Sequence, residues 1–196
     1  MESKNFYQEP SKWIMEQIES INIVKNNISI LDFASGYGRH SIKLANGDKY
    51  VTCIDKDQEK LNFYKDLSNI QAICFDLENN NKWPLKHQGY DIVIVTNYLY
   101  RPRIKDLGNL VNENGNLLYE TFSEGNEKYG RPKNSNYLLK ERELIDLFEN
   151  TFDVIDYFNG FTKEPKESYI QRCNLKKKGR FKKPSLKYNL FIYFNY

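Results

Sequence analysis

The sequence predicts an α/β protein: a three-layer sandwich in which helices flank a seven-stranded, mostly parallel sheet that ends in an antiparallel C-terminal strand pair. Three observations carry this. Apolar runs of strand length alternate with segments of helical period, the pattern of successive βαβ units. One such junction, residues 28–40, passes from an apolar run through a cluster of small residues into a helix. The first three strand-like runs each hold an aspartate at or near their end, which in a parallel sheet puts carboxylates along one edge.

Residues 1–10 show no period. Pro10 and Ser11 then open a helix with Trp13, Ile14, Ile18 and Ile21 on one face. An apolar stripe of this kind covers a sheet, the commoner use, or closes a ligand cleft. Residues 28–33 form the first strand, residues 34–40 a tight turn, and residues 41–45 a helix that Gly47 stops. The second strand, residues 50–54, runs into Asp55, Lys56 and Asp57. Asp57 caps a helix that reaches Leu67. The third strand, residues 70–75, ends in Asp76 and Leu77, and a polar loop with Trp83 and an exposed His87 follows.

Residues 90–95 are almost continuously apolar, as a central parallel strand is. They lead to Thr96, Asn97 and Tyr98 at the cleft, and Pro102 suits the first turn of the next helix. After a turn at Asn114, Gly115 and Asn116, a fifth strand spans residues 117–122 and enters a long polar loop. A helix over residues 140–149 buries Leu144, Ile145 and Phe148. Residues 152–158, 168–175 and 189–194 are further strand candidates, one more than the sheet needs.

The 196 residues suit a single domain: an N-terminal helical cap (1–27), a core (28–160), and C-terminal strands with a basic hairpin (161–196). A hydrophobic share of 40% supports a core, and a net charge of +3 excludes a broad nucleic-acid-binding field. No apolar run is long enough to span a membrane, and the first residues lack a leader layout. Cys53, Cys74 and Cys173 are far apart without a C-x-x-C, so they read as small core residues in a reducing, cytoplasmic setting. The basic run over residues 176–183 is either a phosphate contact or a solvated hairpin tip that blocks edge pairing. The lysine bias of the whole chain favours the second reading.

The turn carries the chemistry. Glycine takes positive φ without penalty and lets a ligand approach the backbone. The dinucleotide fingerprint wants a third glycine where Arg39 stands, which argues against a pyrophosphate. Asp32, Ala34, Gly36 and Gly38 instead resemble motif I of the class I S-adenosylmethionine (SAM) methyltransferases, with Ala34 in place of the usual first glycine. With Arg39, the helix that follows and Asp55-Lys56, the string is similar to the tellurite-resistance (TehB-like) branch. The resemblance covers residues 28–160 and implies a Rossmann-like sandwich with SAM as cofactor.

An acid at the tip of the second strand, about 20 residues after the glycine turn, suits a ribose, since a carboxylate accepts from both vicinal hydroxyls. Asp55 fills that place. The resemblance further implies Asp32, Ala34, Ser35 and Gly36 at the methionine end, Lys56 along the adenine, Asp76 on the adenine amino group, the Leu77 N–H on a ring nitrogen, and Thr96 at the fourth strand tip. It implies in-line displacement, which needs alignment and exclusion of water and a base only if the nucleophile arrives protonated. No metal is expected.

Substrate-side candidates are Arg39, for an anion or a carboxylate; His40, as a ligand contact or base; and Tyr98 and Tyr100, whose rings could face the sulfonium or pack in the core. Arg101, Glu120, Asn126 and Arg131 complete the set. A chain this short leaves little room for a target-recognition domain, so the expected acceptor is a small molecule. The alternative is RNA or protein docked through residues 176–183. The Asn/Asp-Pro-Pro-Tyr tetrad of base-amine methyltransferases is absent; Thr96-Asn97-Tyr98-Leu99 stands in its place.

Overall fold

Near-continuous burial along the central strands sets the architecture of the computed structural model, which describes residues 9–85 and 89–179. Seven strands form one sheet: β1 (Ile28–Phe33), β2 (Lys49–Asp55), β3 (Ile70–Cys74), β4 (Tyr90–Thr96), β5 (Val111–Phe122), β6 (Phe152–Thr162) and β7 (Ser168–Lys177). Their order is β3-β2-β1-β4-β5-β7-β6. The first five run parallel, and β7 lies antiparallel between β5 and β6. This is the seven-stranded, mostly parallel sheet with an antiparallel C-terminal pair that the sequence predicts. The strand candidate at residues 189–194, His87, and residues 180–183 of the basic run lie outside the described residues.

Each central strand is apolar on both sides, so each face needs cover. Ile30, Val51, Cys53, Ile92, Ile94 and Leu118 point to one face. Helix α1 (Lys12–Ser20) packs Trp13, Ile14 and Ile18 there, beside Leu44 of α2 (Ser41–Leu44) and Leu61 of α3 (Gln58–Asn62). Leu31, Phe33, Val93, Val95, Leu117 and Tyr119 point to the other face, under Leu107 of α4 (Leu107–Leu110) and Leu144, Ile145 and Phe148 of α5 (Glu143–Phe148). Ser11 caps α1, its Oγ accepting the Ile14 N–H, and Asp57 caps α3 through the N–H groups of Glu59 and Lys60. No described helix is long and apolar enough to cross a membrane.

The elements differ from expectation where the backbone is constrained. Arg142 sits at φ 61°, in the left-handed region, so α5 cannot begin at residue 140. The 3₁₀ turn Arg101–Asp106 precedes α4, leaving only a short α-helix before β5. A register irregularity opposite Tyr90 and Ile92 absorbs the expected turn at Asn114 to Asn116 into β5. Cys53 and Cys173 are core residues, but Cys74 is exposed because β3 is an edge strand.

The turn after β1 holds two glycines at positive φ, Gly36 at 54° and Gly38 at 71°. Gly38 is pressed against Tyr64: a Cβ there would lie 2.7 Å from the ring. The Tyr64 hydroxyl donates to the Gly36 carbonyl at 3.0 Å and lies 2.9 Å from the Ser35 Oγ. The ring is therefore a brace that cannot retreat without releasing the turn. Gly38→Ala should destabilise the protein by about 2–3 kcal/mol, from left-handed strain and overpacking together. Urea denaturation checks this, and a loss under about 0.5 kcal/mol would show that the brace yields.

Candidate active site

In a parallel sheet the crevice forms beyond the carboxyl ends of the strands, where strand order reverses. Here the reversal lies between β1 and β4, and a cavity of about 440 Å³ opens above it. Its walls come from successive strand tips: Ala34, Ser35 and Gly36 after β1, Asp55 and Lys56 at β2, Asp76 and Leu77 after β3, and Thr96, Asn97 and Tyr98 at β4. Every expected cofactor-side residue except Asp32 lines this one cavity.

Asp55 holds the site in shape. Its Oδ2 accepts the Gly36 N–H at 2.8 Å and its Oδ1 accepts the Asp57 N–H at 3.0 Å. A carboxylate has about four lone-pair positions, so each oxygen keeps capacity for a further donor. Asp76 is exposed at the cleft, with Oδ1 accepting the Glu78 N–H at 3.0 Å. Ala34 and Asn97 both adopt left-handed φ, 57° and 53°. The methyl at Ala34 is thus accommodated at the small cost of a non-glycine residue in that region.

Asp32 is placed differently from the expectation. It is buried beneath the turn, and its Oδ2 accepts from the Ser41 Oγ at 2.5 Å; the Cys53 thiol in turn donates to that Oγ at 3.0 Å. Burial pushes its pKa up to about 7, against the Ser41 hydrogen bond and the Arg39 charge. It supports the turn from below and does not line the cleft.

A second hollow of about 700 Å³ adjoins the first, and Arg39 and Asn97 line both. Its walls include Ser11 and Trp13 of the N-terminal segment, Glu120 and Phe122 of β5, and Ile170 and Arg172 of β7. The Arg172 Nε donates to the Glu120 Oε2 at 2.6 Å, and the Ser11 Oγ donates to the same oxygen at 3.0 Å. The N-terminal helix thus covers the sheet and also walls this hollow at its first turn.

Of the substrate-side candidates, Arg39, Tyr98 and Glu120 line one or both spaces. The others are corrected by their partners. The His40 Nε2 accepts the Ser11 N–H at 3.0 Å, and burial, with the Arg39 charge, pushes its pKa down to about 3. It is a neutral anchor for the N-terminal segment, with no spare acceptor for a base. Arg101 forms a two-pronged pair with Glu143, 2.7 and 2.8 Å, and donates to the carbonyls of Ser135, Asn136 and Leu138. Asn126 is buried, accepting the Tyr169 N–H and donating to the Pro132 carbonyl. Tyr100 lines a small space with Trp83 and Arg103 and lines neither cavity, and Arg131 is exposed.

Sequence reasoning missed Tyr37, Lys60 and Glu78 in the cleft, and Ser11, Trp13, Phe122 and Ile170 in the hollow. Asn97 carried a signal, since it directly follows a strand tip; the hollow is assembled from three distant segments and carried none. Of the basic run, the Lys177 Nζ donates to the Gly108 and Val111 carbonyls and the Lys178 Nζ to the Glu149 carbonyl. Among the described residues no group of three or more His, Cys, Asp or Glu side chains is placed to hold a metal ion.

This strand order, with the reversed β7 between β5 and β6 and the cleft over β1 and β4, is the class I SAM-dependent methyltransferase fold. Residues 30–120 match a family model described as a methyltransferase domain. TehB from Haemophilus influenzae is similar at 18% identity with a TM-score of 0.65, over 84% of this chain and 62% of that one. This chain therefore spans less than two thirds of the length of TehB. A SAM-dependent methyltransferase from Methanosarcina mazei is similar at 14% identity and a TM-score of 0.63, over 88% of this chain and 100% of that one. The [4+2]-cyclase SpnF is similar at 10% and 0.65, over 85% of this chain and 81% of that one. No curated protein sequence matches. Residues 30–120 thus match a methyltransferase domain, and the chain shares its fold with TehB and other SAM-dependent methyltransferases.

The two buried titrations oppose each other. His40 is held below its usual value, so its contribution to stability is full above about pH 6.5 and lost as pH falls toward 3. Asp32 is held above its usual value, so its contribution is full below about pH 3.8 and lost as pH rises through 7. Between these limits the slopes largely cancel. His40→Gln, which keeps an acceptor for Ser11 but cannot titrate, should uncover the Asp32 slope. Its stability relative to wild type should fall from pH 4.5 to 6.5 by up to about 1.4 kcal/mol per pH unit. Parallel urea-derived profiles for the two proteins would contradict the His40 assignment.

Proposed function

We propose that the protein is a SAM-dependent methyltransferase that holds SAM in the cleft and passes its methyl group to a small molecule in the adjoining hollow. One observation carries the reading: two strand-tip carboxylates, Asp55 and Asp76, line a single cavity that opens into a second one at Arg39 and Asn97. That layout suits a long donor with a sugar and a purine at one end and a reactive group at the other.

The residues fit the donor's parts. Asp55 has lone pairs left to accept both ribose hydroxyls. Asp76 can accept the adenine amino hydrogen, with the Leu77 N–H beside it and Lys56 along the ring. Ala34, Ser35 and Gly36 expose backbone to the methionine end. Bound SAM supplies a methyl group on a sulfonium, open to displacement by a nucleophile arriving in line. The chain's own work is then to align two reactants and exclude water, which accounts for a large part of such a barrier. The acceptor hollow suits a small ligand by volume. The tethering of Lys177 and Lys178 to backbone carbonyls supports a small acceptor over a docked polymer. Cytoplasmic residence, expected from the cysteine usage, belongs to this reading as well.

S-adenosylhomocysteine should bind with a dissociation constant on the order of micromolar, and Asp55→Ala should weaken it at least about tenfold, the loss of a charge-assisted hydrogen-bond pair. Isothermal titration calorimetry reads both, with the melting temperature of the variant as a check on folding. Unchanged affinity in a folded Asp55→Ala protein would overturn the ribose assignment.

A further inference from the structure

We propose that Arg39 binds a carboxylate of the methyl acceptor at the junction of the two cavities, so that the acceptor is a small organic acid with an apolar body. The proposal rests on the methyltransferase reading and adds the substrate class.

Position comes first. Arg39 and Asn97 are the residues that line both the cleft and the hollow. Whatever crosses between donor and acceptor passes the Arg39 guanidinium.

Charge comes second. Two other cations around the hollow are matched, Arg172 with Glu120 at 2.6 Å and Lys12 with Glu16 at 3.7 Å, and the third, Lys166, is exposed at the rim with its Nζ 5.8 Å from the centre of the Phe122 ring. Among the described residues Arg39 has no carboxylate within ion-pair distance, and its hydrogen bond is a long one, 3.4 Å from Nη1 to the Glu9 carbonyl. A guanidinium carries five N–H donors in a planar fork that matches a carboxylate. Arg39 is half-buried, and burial lowers its pKa from the usual arginine value, with the Glu120 and Asp32 charges opposing. A partly desolvated cation with unused donors is a receptor for an anion. The carboxylates of Glu9 and Glu164 that also line the hollow are exposed.

Chemistry comes third. Trp13, Phe122 and Ile170 give the hollow apolar walls, which an inorganic anion would leave unfilled. His40, the one histidine near the junction among the described residues, is committed to the Ser11 N–H. A nucleophile that arrives without a proton removes the need for a base, and a carboxylate is ionised at neutral pH. An oxygen lone pair of the acid forms the O–CH₃ bond while the C–S bond breaks and its electron pair stays on sulfur. The sulfonium and the carboxylate both end neutral, as a thioether and a methyl ester, and no proton moves.

The test titrates benzoate and benzamide into the full chain by calorimetry, with and without S-adenosylhomocysteine. Benzoate should bind at least about tenfold more tightly than benzamide, and Arg39→Gln should abolish that preference. S-adenosylhomocysteine affinity in Arg39→Gln should stay within about threefold, and Lys166→Gln, at the exposed rim, should change benzoate affinity less than about twofold. Equal binding of acid and amide, no benzoate binding, or retained preference in Arg39→Gln would overturn the proposal. So would a large loss of S-adenosylhomocysteine binding in that variant, which would assign Arg39 to the cofactor. Failure of S-adenosylhomocysteine to bind the wild type would count against the methyltransferase reading alone, because benzoate titrated without it still reports on Arg39.

Discussion

The hydrogen bond from the Gly36 N–H to the Asp55 carboxylate ties the turn after β1 to the tip of β2. Most of the site depends on it. It fixes the glycine backbone beside an acid that still has acceptor capacity, and it sets the width of the cleft between the first two strands. Below it, Tyr64 and the Asp32–Ser41–Cys53 chain brace the same turn from the core side. A backbone that a ligand must approach closely is thereby held by side chains that do not themselves compete for the ligand.

The second cavity is built on a different logic. Its walls come from the N-terminal segment, β5 and β7, which meet through Ser11, His40, Glu120 and Arg172. In this network charged and polar groups satisfy one another, as buried groups must. Arg39 stands out because it faces the same space with most of its donors uncommitted. On the proposed reading, a donor site made by strand tips lies apart from an acceptor site made by the segments that pack over β5 and β7.

The sheet and the grouping of residues 34–36, 55, 76 and 96 around one cavity were legible in the sequence because both follow from local pattern. The apolar runs of β1 and β4, the glycine turn and the acids at positions 55 and 76 all declare themselves within a few residues. Asp32 misled because a strand residue's side points by parity, and it lies on the face that α2 covers, two residues before the turn. Arg101 and Asn126 misled because their partners, Glu143 and Tyr169, are far away in sequence. His40 was noticed for its nearness to the turn, yet its role is set by Ser11, 29 residues upstream. The second hollow was illegible for the same reason: no local period records which distant segments converge.

The most direct test of the account is a crystal structure of the protein with S-adenosylhomocysteine. The ribose hydroxyls should lie within hydrogen-bond distance of Asp55, the adenine should lie beside Asp76 and Leu77, and the sulfur should point to the junction at Arg39 and Asn97. A ligand bound elsewhere, or bound in the cleft with its ribose away from Asp55, would contradict it.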